Sequence, residues 1–228
     1  MILKAVNVTK EFSRSAESKK FFSAVNEINL ILEQGKLSAI TGKSGSGKST
    51  LLNIFCGLLK PTAGDIYLDD VKIYDLDDDE LSRLRNKNFG VVPQVQSALK
   101  SLSVLENILL PCKLYNLTAD IDRVKNLMAA AGIENLSDSL PNELSGGELR
   151  RMAVVRALIL NPAFVCADEP TNDLDDENTE IILKLFRQTA DNGAGVLIVS
   201  HEAEVTNYAD SIFSMKEGFL TEKLKEVN

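Results

Sequence analysis

Nine consecutive residues, Gly42, Lys43, Ser44, Gly45, Ser46, Gly47, Lys48, Ser49 and Thr50, hold the densest chemistry in this chain. Their spacing satisfies G-x-x-x-x-G-K-[ST], a loop whose backbone N–H groups close around phosphate oxygens. The glycines permit the curl, because a residue without a Cβ turns its amide inward at no steric cost. A helix expected to start at Ser49 adds the positive end of its dipole. In that arrangement Lys48 reaches the β- and γ-phosphates and the Ser49 hydroxyl ligates Mg²⁺. The pattern alone specifies a nucleotide binder and leaves kinases, GTPases and transport ATPases open.

Two further groups narrow the chemistry. Phe164-Val165-Cys166-Ala167-Asp168-Glu169 is an apolar run ending in two carboxylates, the Walker B arrangement. A buried strand there delivers Asp168 to the Mg²⁺ side of the phosphates, and Glu169 orients the attacking water. A free Glu with a pKa of about 4.3 is a weak base at neutral pH, so its contribution is largely positioning. Leu144-Ser145-Gly146-Gly147-Glu148 places a Ser and two glycines at a helix start, a second anion-binding end. One nucleotide does not need two such ends from one subunit.

Together these residues resemble the ABC-type ATPases, whose signature motif is similar to Leu144–Glu148. The resemblance implies that Ser145, Gly146 and Gly147 of one subunit close over the γ-phosphate held by another. It extends to Gln94, which resembles the glutamine that senses Mg²⁺ and contacts the membrane partner. Asn172-Asp173-Leu174-Asp175 resembles the D-loop, with Asp175 at its aspartate, and His201 resembles the switch histidine. His201 is the only histidine in the chain, so it has no rival. Phe12 resembles the aromatic that stacks on adenine, with Phe21 or Phe22 as the alternative. The resemblance thus implies Glu169, His201, Gln94 and Lys48 as the catalytic set and Ser49, Gln94 and Asp168 as the metal side, with ATP and Mg²⁺ as cofactors. Asp75-Leu76, Glu80–Arg85, Leu105-Glu106-Asn107 and Ala167–Thr171 are similar to one branch of the family. That branch holds the lipoprotein-releasing, macrolide-exporter, cell-division and antimicrobial-peptide-resistance ATPases.

Some positions depart from the usual pattern: Lys43 for Pro, Pro93 before Gln94 where Phe is common, Leu149-Arg150 for a Gln pair, and Asn172-Asp173 for Gly-Asn. None removes a group that the chemistry requires.

The elements that must position these residues are legible from patterning. Strands are expected at Leu3–Val8, Ile28–Leu32, Leu37–Thr41 and Asp65–Leu68, later at Phe164–Ala167 and Gly195–Ser200. Helices are expected from Ser49 to Gly57, over Glu80–Arg85, across most of 104–160 and over Glu177–Ala190. The polar stretch from Ser13 to Lys20 and the acidic run Asp75–Glu80 read as loops. Strand–helix alternation at both ends with helices between predicts an α/β fold. The family resemblance makes it a P-loop NTPase (RecA-like) core with an N-terminal antiparallel β subdomain and an inserted α-helical subdomain. One ABC-type ATPase domain is expected over 1–228, with 1–93 and 161–228 as the core and β subdomain and 94–160 as the helical subdomain.

Bulk composition bounds the partners. The 228 residues are 44% hydrophobic, and 25 basic against 33 acidic residues give a net charge of −8. An acidic chain without an extended basic run is not built to grip nucleic acid. No uncharged apolar run approaches the roughly 18 residues of a membrane span, and the start reads as a strand rather than a signal segment. The expectation is a protein of the cytoplasm, peripheral at the inner face of the cell membrane through separate transmembrane permease subunits, with no membrane insertion of its own. It would form a homodimer when ATP is bound and drive export, extraction or resistance to lipophilic or peptide substrates. A regulatory or scaffolding ATPase of the cell-division type, signalling without transport, is the alternative. Chromosome-organising relatives place a long coiled coil between the two nucleotide motifs, whereas Lys48 and Asp168 here are 168 − 48 = 120 positions apart without sustained heptads. The cysteines, Cys56, Cys112 and Cys166, are expected as buried free thiols.

Overall fold

The computed structural model describes residues 1–13, 21–95 and 97–223. The loop expected between Ser13 and Lys20 lies, from residue 14 onward, outside the described residues.

Two sheets organise the molecule. β1 (Ile2–Ser13), β2 (Phe21–Glu33), β4 (Ala63–Leu68) and β5 (Val71–Lys72) form an antiparallel sheet in the order β2-β1-β4-β5. From Ile28 to Glu33 the β2 residues alternate buried and exposed, as a sheet with one wet face requires. β1 and β2 run well beyond the expected Leu3–Val8 and Ile28–Leu32, because cross-strand pairing continues as far as Ser13 opposite Phe21. Register shifts between Ala5 and Glu11 of β1 break the alternation and hide the extension from a hydrophobic pattern.

The second sheet runs β10-β9-β3-β8-β7-β6. Its strands are β3 (Leu37–Thr41), β6 (Phe89–Val92), β7 (Phe164–Asp168), β8 (Gly195–Ser200), β9 (Ser211–Lys216) and β10 (Phe219–Lys223). Among the described residues of this sheet, only β10 pairs antiparallel. β7 and β8 are buried along their whole length, so their sequences are continuous apolar runs. The pleat then divides them between two cores. Phe164, Cys166, Leu197 and Val199 face the antiparallel sheet and α1 (Lys48–Phe55), whereas Val165, Ala167, Val196 and Ile198 face the helices on the other side.

Those helices are α3 (Val104–Ile108), α4 (Leu110–Leu114), α5 (Ile121–Ala130), α6 (Gly146–Leu158) and α7 (Asp176–Asp191). α7 buries Ile182, Leu183, Leu185, Phe186 and Ala190, an i, i+3, i+4 stripe. The three cysteines are free and buried, two in the core around α1 and one among the helices.

The acidic run is a correction. Only Leu76 and Asp77 are non-helical, because a 3-10 turn ends at Asp75 and Asp77 accepts from the Glu80 amide while the Glu80 side chain accepts from the Asp77 amide. This capping box starts α2 (Asp78–Asn88), and Asp78, Asp79 and Glu80 complement the positive end of its dipole. A carboxylate cluster read as a solvated loop is thus a helix start.

Candidate nucleotide site

Gly47 precedes α1 with φ 106°, a conformation that L side chains rarely adopt, and a Cβ there would lie 2.0 Å from the Ala24 carbonyl oxygen. The start of α1 has no side-chain cap and no acidic residue in its first turn. Its free N–H groups therefore keep their positive potential for an external anion. Ser46 Oγ is buried in the same loop without a hydrogen-bond partner. A buried orphan hydroxyl beside a helix N-terminus fits a phosphate, which would satisfy it.

The Lys48 ammonium is buried and donates to the carbonyls of Gly42 at 2.8 Å and Lys43 at 3.2 Å, which fixes the curl of the loop. It also pairs with Glu169 Oε1 at 3.3 Å. The other Glu169 oxygen, Oε2, accepts from the His201 backbone amide at 3.0 Å and lies 2.9 Å from His201 Nδ1. Glu169 itself has φ 46°, a strained conformation for a residue with a side chain, held by its amide donating to the Val199 carbonyl at 2.9 Å. Three distant segments therefore meet on one carboxylate.

Beside it, Ser49 Oγ donates to Asp168 Oδ1 at 2.9 Å. Burial pushes the Asp168 carboxyl above the usual carboxylate range, against the pull of the Ser49 hydroxyl. Two hard oxygens side by side suit Mg²⁺, which takes few protein ligands and completes its shell with phosphate and water. No cluster of three or more His, Cys, Asp or Glu among the described residues could hold an ion without such help.

Gln94, Glu169, His201, Lys43 and Ser44 line one cleft of about 850 Å³, a volume within the range of small-molecule sites. Asn172 joins them. Another cleft, about 640 Å³ and rich in carboxamides, lies between α5 and α7 and holds none of the sequence-predicted residues. Ser145, Gly146 and Gly147 do not line the nucleotide cleft either. They start α6 as a capping box of their own, with Ser145 and Glu148 bonded reciprocally. A Cβ on Gly147 would meet the Asn178 carboxamide at 2.7 Å, so glycine lets α7 approach the signature. Asp175 caps α7, accepting from the Asn178 backbone and side chain. Phe12 also lies outside the cleft lining; it stacks on Phe22, its alternative, at 5.7 Å between ring centroids.

Residues 25–172, more than half of the chain, match the family described as ABC transporter. The chain belongs to the ABC transporter family. It is an ATP-binding cassette of that family and an ATPase by class. A lipoprotein-releasing system ATP-binding protein, LolD, of Buchnera aphidicola is 38% identical over 96% of both chains. The macrolide export ATP-binding/permease protein MacB of Chlorobaculum tepidum is 36% identical over 99% of this chain and 34% of its own length. The dimeric structure of MJ0796, a bacterial ABC transporter cassette, superposes with TM-score 0.88 at 35% identity, covering 96% of this chain and 98% of that one. A dimeric post-hydrolysis structure of the same cassette, bound to ADP and Pi, gives 0.87 at 34% identity with the same coverage.

Sequence reasoning missed three contributors. Thr171, wholly buried, donates to the Glu202 carboxylate and so ties the segment after Glu169 to the one after His201. Glu148 holds Ser145, a role that the S-x-x-E spacing signals. Arg150 binds the Gln94 segment; the sequence marked its position only as a departure from the usual Gln pair.

Proposed function

We propose that two copies of this chain sandwich two Mg·ATP and hydrolyse them, each site taking Lys48, Ser49, Gln94, Asp168, Glu169 and His201 from one subunit and Ser145 and Gly147 from the other. The observation that carries this reading is the separation of the two anion-binding helix starts. The nucleotide cleft is lined by one set of motifs, and the signature, also a glycine-rich helix start, is not among its lining residues.

The β- and γ-phosphates compete with Glu169 for the Lys48 ammonium, and the loop amides and Ser46 hydroxyl enclose the rest. Released from Lys48, Glu169 takes the attacking water while His201 holds its second oxygen. Ser49 and Asp168 would hold Mg²⁺, which when bound would supply positive charge against that developing on the phosphoryl oxygens. Adenine rests against the Phe12 and Phe22 pair, and Asp175 lies at the subunit contact. Closure moves residues 94–160 against 1–93 and 161–228, driving separate transmembrane subunits docked near Gln94 and residues 95–116. No helix among the described residues is long and apolar enough to cross a membrane, which fits a chain held at the cytoplasmic face by its partner. Relatives named for lipoprotein release and macrolide export favour extraction or export of lipophilic substrates.

Glu169→Gln tests the reading. The variant is expected to lose about 10²-fold or more of its turnover and to accumulate as an ATP-bound dimer, read by light scattering after gel filtration. A Glu169→Gln chain that stays monomeric at saturating ATP would falsify the sandwich.

A further inference from the structure

We propose that Arg150 is a positioning residue that fastens the Gln94 loop to the signature helix, so that nucleotide sensed in one site moves the signature acting on the other. The inference rests on the sandwich reading above.

Arg150 lies on the second turn of α6, whose start carries Ser145. Its guanidinium donates to two successive carbonyls, Pro93 at 2.8 Å through Nη1 and Gln94 at 2.9 Å through Nη2. The group is 9% exposed. Desolvation lowers its pKa, while the Asp168 and Asp173 carboxylates favour its charge. Burying a guanidinium is costly unless every donor direction has a purpose. Here one cation joins the backbone of the loop, the field of the Mg²⁺-side carboxylate and the segment after Glu169.

The fork matters more than the charge. Two parallel N–H groups match two consecutive carbonyls, whereas a Lys ammonium is a point charge without that geometry. Pro93 adds stiffness, because its fixed φ limits how far the loop can move without carrying the Arg150 bonds along. Farther down the same helix, Arg156 donates to the Ser97 carbonyl at 2.9 Å, so α6 holds this segment at both of its ends. A displacement of Gln94 is thereby a displacement of α6, and Ser145 travels with it.

The test compares Arg150→Met, Arg150→Lys and Arg150→Gln in the full chain, both natively and with Glu169→Gln. Three readouts are expected to separate. Affinity of the isolated subunit for a fluorescent ATP analogue changes by less than about 2-fold, because Arg150 touches no nucleotide. The ATP concentration that half-dimerises the Glu169→Gln chain rises about 10-fold, the equivalent of one lost charge-assisted hydrogen bond. In the native background kcat falls more than KM rises, with Lys recovering only a minor part. Arg150→Gln, which keeps one amide donor, guards against a Met variant that fails to fold and is expected to shift the same way. Unchanged ATP dependence in both the Met and Gln variants overturns the proposal, and so does full rescue by Lys, which would assign the effect to charge alone. Hydrogen exchange at the amides of Gln94 to Ser97, measured without nucleotide, reads the fastening independently of the dimer. Faster exchange in Arg150→Met supports it even where the sandwich itself fails, and unchanged exchange refutes it.

Discussion

The starts of α1 and α6 are both glycine-rich helix N-termini suited to anions, and they are finished in opposite ways. At α1 the cap is Gly47, no side chain accepts from the first amides, and the first turn has no acid. At α6 the Ser145 hydroxyl and the Glu148 carboxylate close on each other and on the backbone, so the chain satisfies the Ser145 and Glu148 amides itself. At the first, Glu169 occupies the Lys48 ammonium, but the backbone amides are left to an anion that the chain does not supply. The second carries an internal anion, Glu148, that an incoming phosphate must compete with. A site that is half-closed in this way binds weakly by itself and strongly only when another surface presents the phosphate already fixed. That asymmetry is what a two-subunit sandwich needs, because it keeps the signature from capturing free nucleotide.

The comparison can be broken most sharply at Lys48. Lys48→Ala removes the cation of the α1 end and leaves Glu169 buried beside an empty volume. Nucleotide affinity is expected to fall by about 2–3 kcal/mol, roughly 30- to 150-fold, in equilibrium titration. Undiminished affinity would mean that backbone amides alone account for binding at α1, and the two ends would be more alike than their caps suggest.

The carboxylates at the two ends should respond to pH with opposite sign. Burial raises the folded-state pKa of Asp168, so the folded chain favours its protonated form and its ionisation opposes folding as pH rises between the unfolded and folded values. Asp168→Asn is therefore expected to raise Tm without nucleotide at neutral pH by a few degrees while abolishing turnover. A lower Tm would show that the Ser49 and Lys48 contacts outweigh desolvation. Glu148 is the converse: the Ser145 backbone and side-chain hydrogen bonds hold its carboxyl below the usual range. Its contribution is present above the unfolded-state pKa and is lost as pH falls through the folded value. The group is largely solvated, so the effect is the smallest of the three. Glu148→Ala should cost about 1 kcal/mol at neutral pH and nearly nothing in acid, read from urea melts at both pH values. Equal losses at both would show that the carboxylate charge does not stabilise α6.

Legibility in the sequence followed the range of the forces involved. Strands β3, β7 and β8 were readable to within a residue, because strands buried on both faces must be uniformly apolar. β1 and β2 were underestimated because their outer halves are held by backbone pairing, which imposes no pattern on side chains. The acidic run was misread because a capping box and a solvated loop draw on the same residues, and only the Asp77 and Glu80 geometry distinguishes them. At the site, the motifs supplied the types and order of residues. They could not say that Lys48 and His201 would bracket one carboxylate, since these groups stand 201 − 48 = 153 positions apart.

By itself the sequence determined the phosphate-binding loop, the α/β alternation and the family, because each depends on local spacing or on burial repeated along a strand. Tertiary structure alone decided that Glu169 is clamped between Lys48 and His201, that the start of α6 does not line the cleft of its own chain, and that Arg150 grips the Gln94 loop. Those contacts join side chains whose separation along the chain carries no record of their meeting. They are set by how two sheets and a helix layer pack, and packing energy is spread over the buried residues of both cores rather than written in any one motif.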